Sequence, residues 1–263
     1  RYSREPVWDG HYYHFGAQRI AEGLGYSEDA LVGGVLRWRP WCHYPVGYSG
    51  LLGGLYRVLG DGLLVAPLFN VLVGVATVVC VHRLALHYLP GWRAVLAALL
   101  VALHPGLILY SALVMTEPLA AFIAVLWLYV LSLAHRSATQ RGRTGRRELW
   151  GWWALAGVVL GLGALVRPAY LIAAPLVLLF VGRSWRPALM RTAVVALCTV
   201  LPILPWTLRN CARMDGCALI STNGGWNLAI GAITQSGRFE TLHASDGCRV
   251  VTGQVQQIGR AHV

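Results

Sequence analysis

Lysine is absent from this 263-residue chain, so its formal charge of +11 is carried by arginine alone. Acids are scarce as well: eleven carboxylates in all, and only 13% of residues charged. So few charges exclude an ordinary soluble domain, whose surface carries far more. No CxxC or HxxxH cluster accompanies the cysteines, which argues against zinc. No internal repeat of the kind that builds secondary transporters is visible, and the middles of the apolar runs are almost free of charge. A nucleic-acid binder can share a basic balance, but here the arginines sit in loops between apolar runs. There, positive charge sets topology and meets anionic lipid.

What is present is apolar: 56% hydrophobic residues, a mean hydropathy of +0.55 and eleven tryptophans suited to membrane interfaces. Between Leu63 and Trp206 the chain is mostly long apolar runs separated by short arginine-bearing loops. A bilayer core needs roughly 20 apolar residues per helical crossing, and hydrocarbon forces each backbone polar group into a helix. The expected fold is therefore all-α, a polytopic transmembrane helical protein; strands and a soluble core are poor readings of this stretch.

Crossings are expected near 63–86, 92–113, 117–135, 149–166, 169–182 and 189–208. The fifth is short for a full span, which suggests that 149–182 forms a shallow hairpin with Arg167-Pro168 near its turn. Arg83, Arg93, Arg136, Arg141, Arg143, Arg146, Arg147, Arg183, Arg186 and Arg191 gather on one side, which the positive-inside rule makes cytoplasmic. Arg57, Arg167, Arg209 and Arg213 fall on the other. Every carboxylate except Glu148 follows this second set, so acid–base chemistry is expected at the extracytoplasmic face of a multi-pass inner-membrane protein.

The expected organisation is an extracytoplasmic loop with interfacial helices over 1–62, a transmembrane core over 63–208, and a truncated extracytoplasmic segment over 209–257. The chain opens on Arg1 with no initiator Met, and an upstream helix is expected to precede it. Residues 258–263, Ile-Gly-Arg-Ala-His-Val, resemble translated adapter read-through and are set aside. Cys80 and Cys198 lie inside spans as small apolar residues. Cys42, Cys211, Cys217 and Cys248 fall outside, where an oxidising compartment permits pairing. Cys211 and Cys217 are nearest in sequence, but four thiols allow three pairings.

The segment from Val7 to Tyr26 reads as an amphipathic helix on the outer interface, with Phe15, Ile20 and Leu24 on one stripe, Asp9 as N-cap and Gly23 or Gly25 as terminator. Tyr44 to Arg57 reads as a second interfacial helix leading into the first span.

Several stretches in order then carry a resemblance: the Asp9 helix ending Ala-Glu-Gly-Leu-Gly-Tyr26, Tyr44-Pro-Val-Gly-Tyr48, Leu109-Tyr-Ser-Ala-Leu-Val-Met-Thr-Glu-Pro-Leu119, Ala164-Leu-Val-Arg-Pro168, Trp206-Thr-Leu-Arg-Asn210 and Ser221-Thr-Asn-Gly-Gly-Trp-Asn-Leu228. Over roughly residues 5–235 the chain resembles the polyprenyl-phosphate-sugar-dependent, C-type membrane glycosyltransferases. Within these it is most similar to family 39 and its relatives that look like protein O-mannosyltransferases and the aminoarabinose lipid A transferase. The resemblance implies transfer of a sugar from a polyprenyl-phosphate donor to a lipid, protein or glycan acceptor at the outer membrane face. It also implies an essential carboxylate in the first outer loop, which maps onto Asp9. Family members often carry Asp-Glu here, whereas this chain has Asp9-Gly10.

The chemistry asks for such residues. A base must take the acceptor's proton, and a carboxylate at a low-dielectric boundary is a stronger base than one in water. The departing lipid phosphate needs positive charge, and guanidinium forks match phosphate bidentately. Asp9 and Glu117 are thus the expected catalytic acids; Arg167, and after it Arg57 and Arg209, the expected donor-phosphate ligands. Glu117 in Thr116-Glu-Pro also suits an ordinary helix start. Tyr13, Tyr48, Tyr110, Asn223 and Trp226 are candidates for sugar or acceptor contact. A divalent cation is a candidate cofactor, with His11 and His14, joined by His43, the residues to hold it beside Asp9. His104 before Pro105 suits a local hydrogen bond, and Asn70 suits interhelical bonding. The alternatives are a secondary transporter and a non-catalytic membrane assembly protein of cell-envelope biogenesis.

Overall fold

The structure, a computed structural model, describes residues 6–32, 35–62, 64–144, 149–214 and 216–224. Trp226, Glu148, Asp215, Cys248 and the tail over 258–263 lie outside them. The chain divides into two compact units, 1–221 and 222–263.

Helix α1 (Gly10–Ala21) is the expected first amphipathic helix, and the chain leaves it through Gly23 and Gly25, both at positive φ (82° and 67°). Asp9 stands at its N-cap but in αR geometry, and its side chain makes no capping bond. A capping side chain needs extended backbone to reach back to the first-turn amides. The carboxylate instead accepts from the Tyr44 hydroxyl at 2.9 Å.

A hairpin follows that hydropathy does not announce: β1 (Ser27–Val32) pairs antiparallel with β2 (Val35–Pro40), Ser27 opposite Pro40. Glu28 faces Arg39 across the ladder and accepts its Nε at 2.6 Å. Arg19 of α1 clamps the hairpin, donating to both Asp29 carboxylate oxygens at 3.0 Å and lying 3.7 Å over the Trp38 ring. Helix α2 (Val46–Leu59) runs beside α1, burying Tyr48, Leu52 and Tyr56 with Tyr13 and Ala17.

Three described helices are long and apolar enough to cross a membrane: α3 (Val65–Ala85), α6 (Glu117–Thr144) and α9 (Trp185–Arg213). Leu68, Leu72 and Val75 of α3 and Leu197 and Leu201 of α9 are exposed, as lipid-facing residues must be. Helices α4 (Gly91–Ala102) and α5 (Pro105–Ser111) make a fourth candidate, bent by 51°. The bend follows from Pro105, which has no amide proton to continue the α4 ladder. His104 caps the new helix by accepting from the Leu107 amide at 3.3 Å. Helix α7 (Trp150–Val166) is 17 residues, about 25 Å. It is enclosed between α6 and α9, with Gly157 and Gly161 letting the α9 backbone at Val195 and Thr199 come close. The chain then turns at Arg167-Pro168 through α8 (Tyr170–Ala173) into a 3₁₀ segment (Ala174–Leu179), well under a membrane thickness.

The two ends of the bundle are chemically distinct. At one, His87 meets Ser132, His135 meets the Phe180 carbonyl and Arg191 donates to the Val181 carbonyl. At the other lie α1, the hairpin, α2, the start of α6, the end of α7 and the end of α9. Asn70, fully buried on α3, ties this second end together. Its Nδ2 donates to the Leu113 carbonyl at 2.7 Å and its Oδ1 accepts from the Tyr48 hydroxyl at 3.2 Å. Asn70→Ala strands both partners, and the expected loss is roughly 1–3 kcal/mol. Thermal unfolding in detergent should show a midpoint several degrees below wild type, with Tyr48→Phe giving a smaller drop.

Candidate functional site

The site forms where four segments are pressed together without room for side chains between them. A Cβ at Gly10, in the first turn of α1, would stand 2.6 Å from the Val114 carbonyl, so α1 lies directly on the turn that precedes α6. A Cβ at Gly47, in the first turn of α2, would stand 2.7 Å from the Leu165 carbonyl, so α2 lies on the end of α7. Asp9 follows from the first contact, Arg167 from the second.

Arg167 joins the two. Its Nη2 donates to Glu117 Oε1 at 2.5 Å and to Thr116 Oγ1 at 2.9 Å, and its Nε to the same hydroxyl at 3.1 Å. Glu117 begins α6, where the helix N-terminus favours an acid and Pro118 loses no needed amide. Its other oxygen, Oε2, is enclosed without a partner among the described residues. A carboxylate oxygen left so is costly, and such atoms call for a functional account.

Tyr13 lies between this pair and Asp9. It is buried, and its phenol is pushed up to about 12, mainly by burial and next by the Asp9 charge; Thr116 and Arg167 act in the opposite sense and Glu117 adds to the rise. One hydroxyl therefore senses Asp9, Thr116, Glu117 and Arg167 together. Tyr44, which bonds Asp9, stacks on Tyr12 at 5.0 Å between ring centres and packs edge-on to Tyr13 at 5.4 Å. Burial and the Asp9 charge raise its phenol too, keeping it a donor to the carboxylate.

Of the expected residues, Glu117 and Arg167 are in direct contact, and their charges and that of Asp9 all act on Tyr13. The others are placed differently. Arg209 is committed to main chain, donating from Nη1 to the Trp41 carbonyl at 3.0 Å and from Nη2 to that of Tyr26 at 2.5 Å. Arg57 is exposed in the last turn of α2, ten residues beyond Gly47 and so about 15 Å along the axis from the α7 contact. Tyr48 is fully buried on Asn70 and has no surface to offer a sugar, and Tyr13 is 7% exposed. Tyr110 is half-buried on α5, away from the α1 contact, and Asn223 belongs to the second unit. His14 bonds the Tyr56 hydroxyl at 2.7 Å through Nδ1. Burial lowers the pKa of both His14 and His43, favouring neutral rings. Among the described residues no three His, Cys, Asp or Glu side chains gather as metal ligands. Cys211 and Cys217 form a disulfide, whereas Cys42 is free and buried. Thr116, Tyr44 and Gly10 were missed; only the packing of distant segments reveals them.

Residues 43–206 match a family model described as dolichyl-phosphate-mannose-protein mannosyltransferase. The fold is similar to that of the Archaeoglobus fulgidus oligosaccharyltransferase, whose crystal structure carries an acceptor peptide containing the NVT sequon tethered by a disulfide. The TM-score is 0.61 at 18% identity, covering 82% of this chain and 27% of that one. This chain thus spans about a quarter of that protein's length, and the likeness is one of fold. No curated protein sequence matches. With its apolar helices, the match makes this a membrane protein.

Because the folded-state pKa of Tyr13 lies above its usual 10.0, the fold favours the neutral phenol. That stabilisation is complete below pH 10.0 and is lost as pH rises toward about 12. In wild type the unfolding temperature should fall steeply across this interval. In Tyr13→Phe the fall should be shallower, measured by scanning fluorimetry at matched pH.

Proposed function

Since the chain belongs to the dolichyl-phosphate-mannose-protein mannosyltransferase family, we propose that it is a membrane glycosyltransferase that moves a sugar from a polyprenyl-phosphate donor to a lipid, protein or glycan acceptor. In this reading the reaction takes place at the extracytoplasmic face, assigned to the end of the bundle where the described carboxylates lie. The observation that carries this reading is the meeting of Asp9 with the Glu117–Arg167 pair around Tyr13.

In this reading Asp9, exposed at the start of α1 and steadied by Tyr44, takes the acceptor hydroxyl proton. The acceptor oxygen bonds the anomeric carbon as the carbon–oxygen bond to phosphate breaks, and the lipid phosphate leaves with that electron pair. Arg167 meets the phosphate. Its bonds to Thr116 and Glu117 use Nε and Nη2, which leaves Nη1 to face the leaving oxygen. Glu117 holds the guanidinium in place.

The test is transfer from polyprenyl-phosphate mannose by the full-length protein in membranes. Asp9→Asn should lower turnover by about 10²–10⁴-fold, the usual worth of a positioned base, at unchanged expression. Turnover near wild type removes Asp9 from this role. Arg167→Lys keeps charge but cannot bridge Thr116 and Glu117 together, so its loss should fall on donor KM as well as turnover.

A further inference from the structure

A second site lies at the same end of the bundle, between the hairpin and the last turn of α9. A cavity of about 370 Å³ is lined there by Gly25, Tyr26, Trp38, Arg39, Arg209 and Arg213 among others, and among the described residues no carboxylate lines it. That volume is within the range of small-ligand pockets, about 300–1,000 Å³. It exceeds what a bare ion needs.

Three guanidiniums face one cavity from two elements. Arg209 and Arg213 are four residues apart on α9 and so share a face, an arrangement that repels when nothing lies between the charges. Arg39 approaches from β2, its Nε held by Glu28, which stands outside the lining. The floor is rigid. Arg209 is fixed to the Tyr26 and Trp41 carbonyls and lies 4.7 Å over the Trp206 ring. The chain after α9 folds back on its last turns, with Asn210 bonding the Ala218 carbonyl at 3.0 Å, Thr207 that of Leu219 at 2.6 Å and Trp206 that of Ile220 at 2.8 Å. The Cys211–Cys217 disulfide closes the same loop around Arg213. Such a preorganised set of cations loses little freedom on binding an anion. Trp38 and Tyr26 add ring surface beside it.

We propose that this cavity binds a phosphate-bearing ligand, with Arg39 and Arg213 as the contacting arms and Arg209 as the fixed base. The site is distinct from the Asp9 site. Tyr26 packs on Trp41 at 5.1 Å and donates to the Tyr44 carbonyl at 3.3 Å, Trp41 packs on Tyr44 at 6.0 Å, and of these three it is Tyr44 that bonds the Asp9 carboxylate. The inference does not depend on the transfer reaction, since binding alone is read.

The chemistry is shared by a lipid headgroup and a soluble sugar phosphate, and two probes separate them. Full-length protein in phosphatidylcholine nanodiscs is titrated with mannose 1-phosphate, or reconstituted with increasing phosphatidic acid, and thermal stability is followed. One probe should raise the unfolding temperature saturably; which one does so names the source. Arg39→Gln with Arg213→Gln should weaken that response at least tenfold while keeping the Arg209 bonds, the response being read as the shift from each variant's own starting stability. Arg83→Gln, an exposed arginine in the last turn of α3, should leave it unchanged. No saturable response to either probe would overturn the proposal, as would equal loss in the Arg83 variant or an undiminished response in the double variant.

Discussion

The Arg167 guanidinium joins two chain segments 50 residues apart, and the arrangement of everything at this end of the bundle follows from that junction. As an ion pair it is modest, because the two side chains are 44% and 28% exposed and solvent screens them. Its importance is geometric. With both Nε and Nη2 on Thr116 and Nη2 also on Glu117, the fork admits one orientation of the α7 end against the α6 start. Apolar packing of α6 and α7 supplies the cohesion. The arginine sets the register, and α1 and α2 then seat on Val114 and Leu165, one on each side of the junction.

From there an aromatic layer carries position outward. Asp9 is held by Tyr44, Tyr44 by Tyr12 and Trp41, Trp41 by Tyr26, and Tyr26 by Arg209 through its carbonyl. Rings are suited to this task at a membrane boundary, where one edge faces apolar surface and the hydroxyl or indole finds a polar partner. The layer explains why hydroxyls in it stay protonated: burial and the nearby carboxylates both oppose a further negative charge. It also explains why Arg209 serves structure. A guanidinium amid buried carbonyls gains more from filling their lone pairs than from waiting for a ligand.

The helices were legible because hydropathy of this length has one physical solution in a bilayer. The short segment after Arg167 was legible because too few residues remain there for a span. The break at Pro105 was not: 92–113 reads as one apolar run, and the proline's missing amide splits it into two helices bent by 51°. The hairpin was not: Glu28, Asp29, Arg37 and Arg39 interrupt its apolar pattern, and it is held by Arg19, a partner outside the strands. Partnerships across 168 and 183 residues, those of Arg209 with Trp41 and Tyr26, leave no trace in local pattern. Tyr48 misled for the converse reason, since a tyrosine on an interfacial helix reads the same whether its hydroxyl meets a sugar or a buried asparagine. Glu117 and Arg167, 50 residues apart in the chain, were expected at one face because charge near span ends has few places to go, and the structure pairs them.

The departure of this chain from the Asp-Glu pattern of the family it resembles has a steric reason. Position 10 lies against the Val114 carbonyl, where even a Cβ would stand at 2.6 Å, so a glutamate there would push α1 off the turn. Three residues beyond that carbonyl is Glu117, which places a second carboxylate beside the site from α6. The two acids then differ in environment: Asp9 is exposed and receives a neutral phenol, whereas Glu117 is half-buried and receives a guanidinium. Unequal surroundings suit unequal tasks. Asp9 is open to water, while Glu117 keeps the arginine aimed. The glycine beside Asp9 is therefore part of the site, since its lack of a side chain lets the second acid arrive from elsewhere in the chain.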